Sequence, residues 1–131
     1  MAPILVDTSV WIDFLNGVDG IHVQKLYTAL LGRFPLHICG TIKMEVLQGI
    51  QNDKEYALSR SKLMNFITVP ISMDNYYLAA DIYRKGRKKG FTIRKPNDCL
   101  IAAVAISNKL ELLHNDRDFD VIEKITTLKV Y

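Results

Sequence analysis

At 131 residues, the chain is long enough for one hydrophobic core and too short for two full-sized domains. Its 49% hydrophobic and 24% charged residues exclude the disordered and fibrous classes and predict a compact fold. The net charge of +3, from 17 Lys plus Arg against 14 Asp plus Glu, is too small to identify a nucleic-acid binder by its total, so the placement of charge carries the information.

Ile4-Leu5-Val6 is a short apolar run rich in β-branched residues, followed by Asp7-Thr8-Ser9 with N-cap chemistry. This predicts a buried strand running into a helix that ends at Asn16-Gly17. Ile21 to Leu31 has helical spacing closed by Gly32, Leu36 to Cys39 reads as a second buried strand, and Gly40-Thr41 starts a helix through Ile50. Asp53 to Phe66 and Met73 to Lys89 are helical in pattern, with Asp74 as a candidate cap for the latter and the strand Ile67 to Val69 between them, stopped by Pro70. After a basic stretch, Pro96-Asn97-Asp98 opens a run from Cys99 to Ile106 that is apolar on every side and predicts a fully buried helix. Leu110 to Leu113 reads as a strand, Phe119 to Ile125 as a helix and Leu128 to Val130 as a last strand.

Met1 to Asp7 has no basic start, and its apolar stretch stops at Asp7, which argues against a signal peptide. The run Cys99 to Ile106 is far short of the roughly 18 apolar residues of a membrane span, so no membrane association is expected. Cys39 and Cys99 lie inside apolar segments and form no Cys-x-x-Cys pair. Neither a disulfide framework nor a thiolate zinc site is suggested, and a cytoplasmic location is expected. His22, His37 and His114 lack ligand spacing for zinc.

Short apolar strands alternating with helices predict an α/β fold, a three-layer α/β/α sandwich with a central parallel sheet. In such sheets, sites form outside the carboxyl ends of the strands. Asp7 ends the first strand, Asp116 follows the strand Leu110 to Leu113, and Asp98 opens the buried helix. Glu45 falls at the border of its helix's apolar arc and is not at the capping-box position, which Met44 holds. Each acid alone reads equally as a cap, a turn residue or a surface charge. Together, four carboxylates at one sheet edge repel one another and call for a cation, and hard oxygen ligands suit Mg²⁺, with Mn²⁺ as a substitute.

The segments Val6-Asp7-Thr8-Ser9-Val10-Trp11-Ile12-Asp13, Met44-Glu45-Val46-Leu47-Gln48-Gly49, Asn97-Asp98-Cys99-Leu100-Ile101-Ala102-Ala103 and Leu113-His114-Asn115-Asp116-Arg117-Asp118-Phe119 together resemble the PIN-domain toxins of the VapC family. The resemblance covers nearly the whole chain and implies a single PIN domain over residues 1–131. It implies a metal-dependent endoribonuclease, the toxin of a type II toxin–antitoxin system, with Asp7, Glu45, Asp98 and Asp116 as catalytic acids and Asp7, Asp98 and Asp116 as metal contacts. The family's last motif varies more than the others, so Asp118 is an accessory candidate for the fourth acid. The implied partners are transfer or ribosomal RNA, a cognate antitoxin and a second copy of the chain. Trp11, Phe14, Leu15, Tyr27 and Leu30 are candidates to line an antitoxin groove, and core packing explains them equally well.

Arg84, Lys85, Arg87, Lys88, Lys89, Arg94 and Lys95 precede Asp98 with no acid among them. They suit an RNA backbone; a solvated helix end whose cations favour the C-terminal dipole is the other reading. For Thr8 and Ser9 helix capping is favoured over a phosphate contact, and Trp11 reads as core. A phosphoaspartate hydrolase of the haloacid-dehalogenase type would want a second aspartate where Ser9 sits. An RNA-processing PIN nuclease without a toxin role, and a non-catalytic RNA-binding PIN-like protein, remain the alternatives; none of the expected carboxylates is lost, which weighs against the second.

Overall fold

The computed structural model describes residues 2–131. In chain order its elements are β1 (Ile4–Val6), α1 (Thr8–Leu15), α2 (Ile21–Leu31), β2 (Leu36–Cys39), α3 (Gly40–Gln48), α4 (Asp53–Leu63), β3 (Ile67–Val69), α5 (Met73–Lys88), α6 (Pro96–Ser107), β4 (Glu111–Leu113) and α7 (Arg117–Ile125). The strands form one sheet in the order β3-β2-β1-β4, parallel throughout. Ile4 stands opposite both Leu36 and Glu111, so β1 is central. Its three residues are fully buried, as a strand covered on both faces requires. Helices flank this sheet in the expected α/β/α arrangement.

The strand order places the site. From β1 the chain steps to β2 and β3 on one side, then crosses back to lay β4 against the other side of β1. Neighbouring β1 and β4 are parallel and in register, so both leave the sheet at the same edge, β1 into α1 and β4 into α7. A crevice opens between their carboxyl ends, the usual ligand position in open parallel sheets. Asp7 leaves β1 there, and His114 to Asp116 leave β4 beside it.

On one face α6 is the most buried helix, with Asp98 and every residue from Cys99 to Ala105 inside. Its alanines at 102, 103 and 105 are fully buried and let α5 and the sheet approach closely. The turn between α5 and α6 is set by Gly90, at φ +81°. There Gly90 N–H donates to the Arg87 carbonyl at 3.1 Å and Phe91 N–H to the Gly86 carbonyl at 2.9 Å. This paired bonding around a left-handed glycine stops α5 and turns the chain back toward the start of α6.

Three expectations need correction. Leu128 to Val130 is not a strand: Val130 makes a single bridge to Leu112. Thr126 is the reason, since its hydroxyl donates to the Ile122 carbonyl at 2.7 Å and accepts the Leu128 N–H at 3.1 Å, which keeps this stretch tied to the end of α7. Asp74 does not cap α5. Ser72 does, in a reciprocal capping box with Asn75. Finally, α4 ends at Leu63, short of Phe66, whose ring turns in to pack 5.1 Å from that of Trp11. Among the described residues, no helix is long and apolar enough to cross a membrane.

Candidate active site

The end of β1 delivers Asp7 into the crevice, its N–H bonded to the Leu113 carbonyl of β4 at 2.9 Å. Asp7 also caps α1: its Oδ2 accepts the Ser9 N–H at 3.0 Å and the Ser9 hydroxyl at 2.6 Å. That hydroxyl in turn accepts the Asn115 N–H at 3.0 Å, tying the exit of β4 to the start of α1. With Oδ2 so occupied, Asp7 Oδ1 is left buried without a hydrogen-bond partner.

Two further acids arrive on helices. Pro96 occupies the first turn of α6, where its missing N–H costs nothing, and puts Asp98 two residues later with Oδ2 buried and also without a hydrogen bond. Glu45, on α3, is oriented by Thr8, whose hydroxyl donates to Oε1 at 2.9 Å. Capping is thus the work of Asp7, while Thr8 and Ser9 hold carboxylates, a correction to the capping role expected of them.

The fourth acid, Asp116, caps α7 by accepting the Asp118 N–H at 2.9 Å. Its other oxygen touches the Lys95 ammonium. All four expected acids line one pocket of about 230 Å³, together with Thr8, Gln48 and Lys95. Sequence reasoning missed Lys95 as a member of the pocket; the signal was its position three residues before Asp98 at a helix start.

The electrostatics reflect crowding. Burial pushes Asp7 up despite the Ser9 hydrogen bonds, and burial also raises Glu45 against the Thr8 hydroxyl. Asp98 is pushed up to about 8, by burial first and the neighbouring charge of Asp7 second, with Lys95 opposing. Asp118 goes the other way. Burial would raise it, but the N–H groups of Arg94 at 3.1 Å and Lys95 at 3.0 Å donate to its two oxygens and hold it below the ordinary value. Oxygens of Asp98, Asp116 and Asp118 come within 4.8 Å of one another, but both Asp118 oxygens are already taken by these backbone N–H groups.

The PIN domain family model matches residues 4–125. Ribonuclease VapC11 of Mycobacterium tuberculosis is 36% identical over 132 aligned residues, covering 96% of each chain, and a VapC ribonuclease of Mycobacterium bovis matches to the same extent. The chain belongs to the VapC family of PIN-domain ribonucleases. Solved VapBC structures share the fold. That of VapBC2 from Rickettsia felis, bound to promoter DNA, superposes with a TM-score of 0.77 at 15% identity over 98% of this chain and 97% of that one. The DNA-bound VapBC of Salmonella typhimurium gives 0.76 at 20% identity over 100% and 98%.

The residues of this VapC-family pocket fit a divalent cation. Two buried carboxylate oxygens that accept no hydrogen bond, on Asp7 and Asp98, belong to residues lining a pocket rich in hard oxygen donors. Thiolate chemistry does not compete. Cys39 and Cys99 are free and buried, and burial, with the charges of Asp98 and Asp118, pushes the Cys99 thiol up to about 12.

The basic segment of this VapC-family chain divides in two. Arg84, Lys85, Arg87 and Lys88 lie exposed near the end of α5, with Lys89 just beyond; Arg84 shares a groove with Pro96 and Asn97, directly before Asp98. Arg94 and Lys95 instead pair with acids. Arg94 Nε lies 3.6 Å from Asp118 and Nη2 3.8 Å from Asp116. Among the groove candidates, Trp11 is buried against Phe14 and Phe66, Phe14 and Leu30 pack against the core, and Leu15 and Tyr27 are exposed.

Proposed function

We propose that this VapC-family chain is a single PIN domain acting as the toxin of a type II toxin–antitoxin pair, hydrolysing phosphodiester bonds of transfer or ribosomal RNA in the cytoplasm at the β1/β4 crevice. The observation that carries the reading is the pair of buried carboxylate oxygens of Asp7 and Asp98 that accept no hydrogen bond, on residues lining a pocket with Glu45 and Asp116. Asp7, Asp98 and Asp116 would hold Mg²⁺, with Mn²⁺ as substitute, and the ion would acidify an attacking water and neutralise charge on the phosphate.

The protein's own part is orientation and proton handling. Ser9 turns one Asp7 oxygen toward the helix start and thereby frees the other for the pocket. Thr8 aims Glu45, whose affinity for a proton is raised by burial, as suits a group that takes a proton from water. Asp116 is held by the start of α7, with its other oxygen against the Lys95 ammonium. Arg84, Lys85, Arg87, Lys88 and Lys89 form a rim of positive charge that gathers the RNA backbone without reading sequence.

The antitoxin reading draws support from the solved neighbours, which include VapBC structures and a toxin–antitoxin complex from Klebsiella pneumoniae. Exposed Leu15 and Tyr27 on α1 and α2, and exposed Tyr76 and Tyr77 on α5, are surfaces that an antitoxin and a second copy of the chain would cover.

The test is cleavage of total cellular RNA by purified protein with Mg²⁺, Mn²⁺ or chelator, beside folded Asp7→Asn and Asp98→Asn variants. Metal-dependent cutting that both variants lose by at least about a hundredfold is the expected result. Wild-type protein free of antitoxin that cuts no RNA with either metal would overturn it.

A further inference from the structure

Lys95 was expected to reach outward to RNA, yet its ammonium points into the acid pocket. It touches Asp116 Oδ2 and lies 3.6 Å from Asp98 Oδ2, one of the two buried oxygens that accept no hydrogen bond. No other lysine or arginine among the described residues lines this pocket.

Its backbone is held on three sides. Pro96 confines the residue before it to extended conformations, and Lys95 adopts φ −120°, ψ 108°. Its carbonyl accepts the Asp98 N–H at 3.0 Å, and its own N–H donates to buried Asp118 at 3.0 Å. The stem beyond Cα is different: the side chain is 51% exposed. A fixed base with a half-exposed, flexible stem lets the ammonium enter or leave the pocket with no backbone movement. Lysine suits that task better than arginine, because a compact, strongly hydrated ammonium returns readily to water, whereas a guanidinium would grip two carboxylate oxygens at once.

We propose that Lys95 is the resident counter-cation of the acid pocket: it holds Asp98 and Asp116 together in the metal-free protein and swings outward when a divalent ion takes its place. The inference rests on the metal-site reading above. Lys95 then opposes metal binding while protecting the empty site from the mutual repulsion of its carboxylates, so metal affinity is set by a residue that is not a ligand.

Calorimetric titration with Mn²⁺ at neutral pH and thermal unfolding in chelator test this on wild type, Lys95→Met and Lys95→Arg. Lys95→Met is expected to bind Mn²⁺ about tenfold more tightly, in the ordinary range for two competing sites, and to melt at a lower temperature than wild type without metal. Lys95→Arg, which restores the charge, is expected to recover the metal-free melting temperature and to bind Mn²⁺ no more tightly than wild type. If wild type binds Mn²⁺ and Lys95→Met binds it equally or less tightly, this inference falls alone. If wild type binds no Mn²⁺, the metal-site reading falls with it.

Discussion

Asp98 opens a helix whose next seven residues are buried and is itself buried with them, so its carboxylate is held away from water. Burial and Asp7 raise its pKa from 3.8 to about 8 in the folded protein, so its contribution to stability is fully present below about pH 4 and is lost as pH rises through about 8. Metal-free protein is therefore expected to melt at progressively lower temperature from about pH 5 to pH 8 and to level off above that, and added Mn²⁺ to recover most of the loss at the upper end. Asp98→Asn should flatten that profile in chelator, followed by differential scanning fluorimetry, and abolish metal-dependent cleavage. Thr8→Val removes the hydroxyl that aims Glu45; misplacing a group beside the reacting atoms costs up to about a hundredfold in rate, so kcat should fall roughly tenfold to a hundredfold beyond any fraction unfolded, measured on the folded variant. The motif containing Asp7 was readable along the chain because Asp-Thr-Ser follows an apolar strand. The division of labour between its two oxygens was not, because it depends on Asn115, far away in sequence.

At the scale of elements, the antiparallel pair α5 and α6 brings the basic helix end and Asp98 to the same side. Asn75 does two jobs there: it completes the capping box at the start of α5, and its amide donates to the Ser107 hydroxyl at the end of α6 at 2.9 Å. Asn75→Ala should cost about 1–2 kcal/mol, the range for a lost cap, measured by urea unfolding. Replacing Arg84, Arg87 and Lys88 together by Ala should weaken RNA binding evenly across sequences and reduce the slope of log affinity against log salt by about 1 for each phosphate no longer neutralised; an unchanged slope would leave the segment as a solvated helix end. The helices and the buried strands were visible as patterns of apolar spacing, α6 most plainly. The cap of α5 was misread because Asp74 and Ser72 both have cap chemistry, and only the backbone turn, with Asn75 closing on Ser72, decides between them.

For the whole molecule, the sheet order matters most, because it sets β4 beside β1 and so brings Asp116 to Asp7. Phe119 anchors that join from below: it is fully buried, with its ring 5.0 Å from that of His114 in the exit loop. Phe119→Ala should cost roughly 3–5 kcal/mol in urea unfolding and lower activity beyond the fraction unfolded, since the loop carrying Asp116 loses its support. By itself the sequence determined the alternation of strand and helix, the burial of α6 and the placing of Asp7 and Asp116 at one sheet edge, because apolar periodicity and strand-end residues are local properties. The tertiary structure alone decided which acids keep an unpartnered oxygen, that Asp118 clamps the backbone of Arg94 and Lys95, and that Lys95 faces inward. Those outcomes depend on groups distant in the chain competing for the same few hydrogen bonds and the same small volume, and no local pattern records the result of that competition.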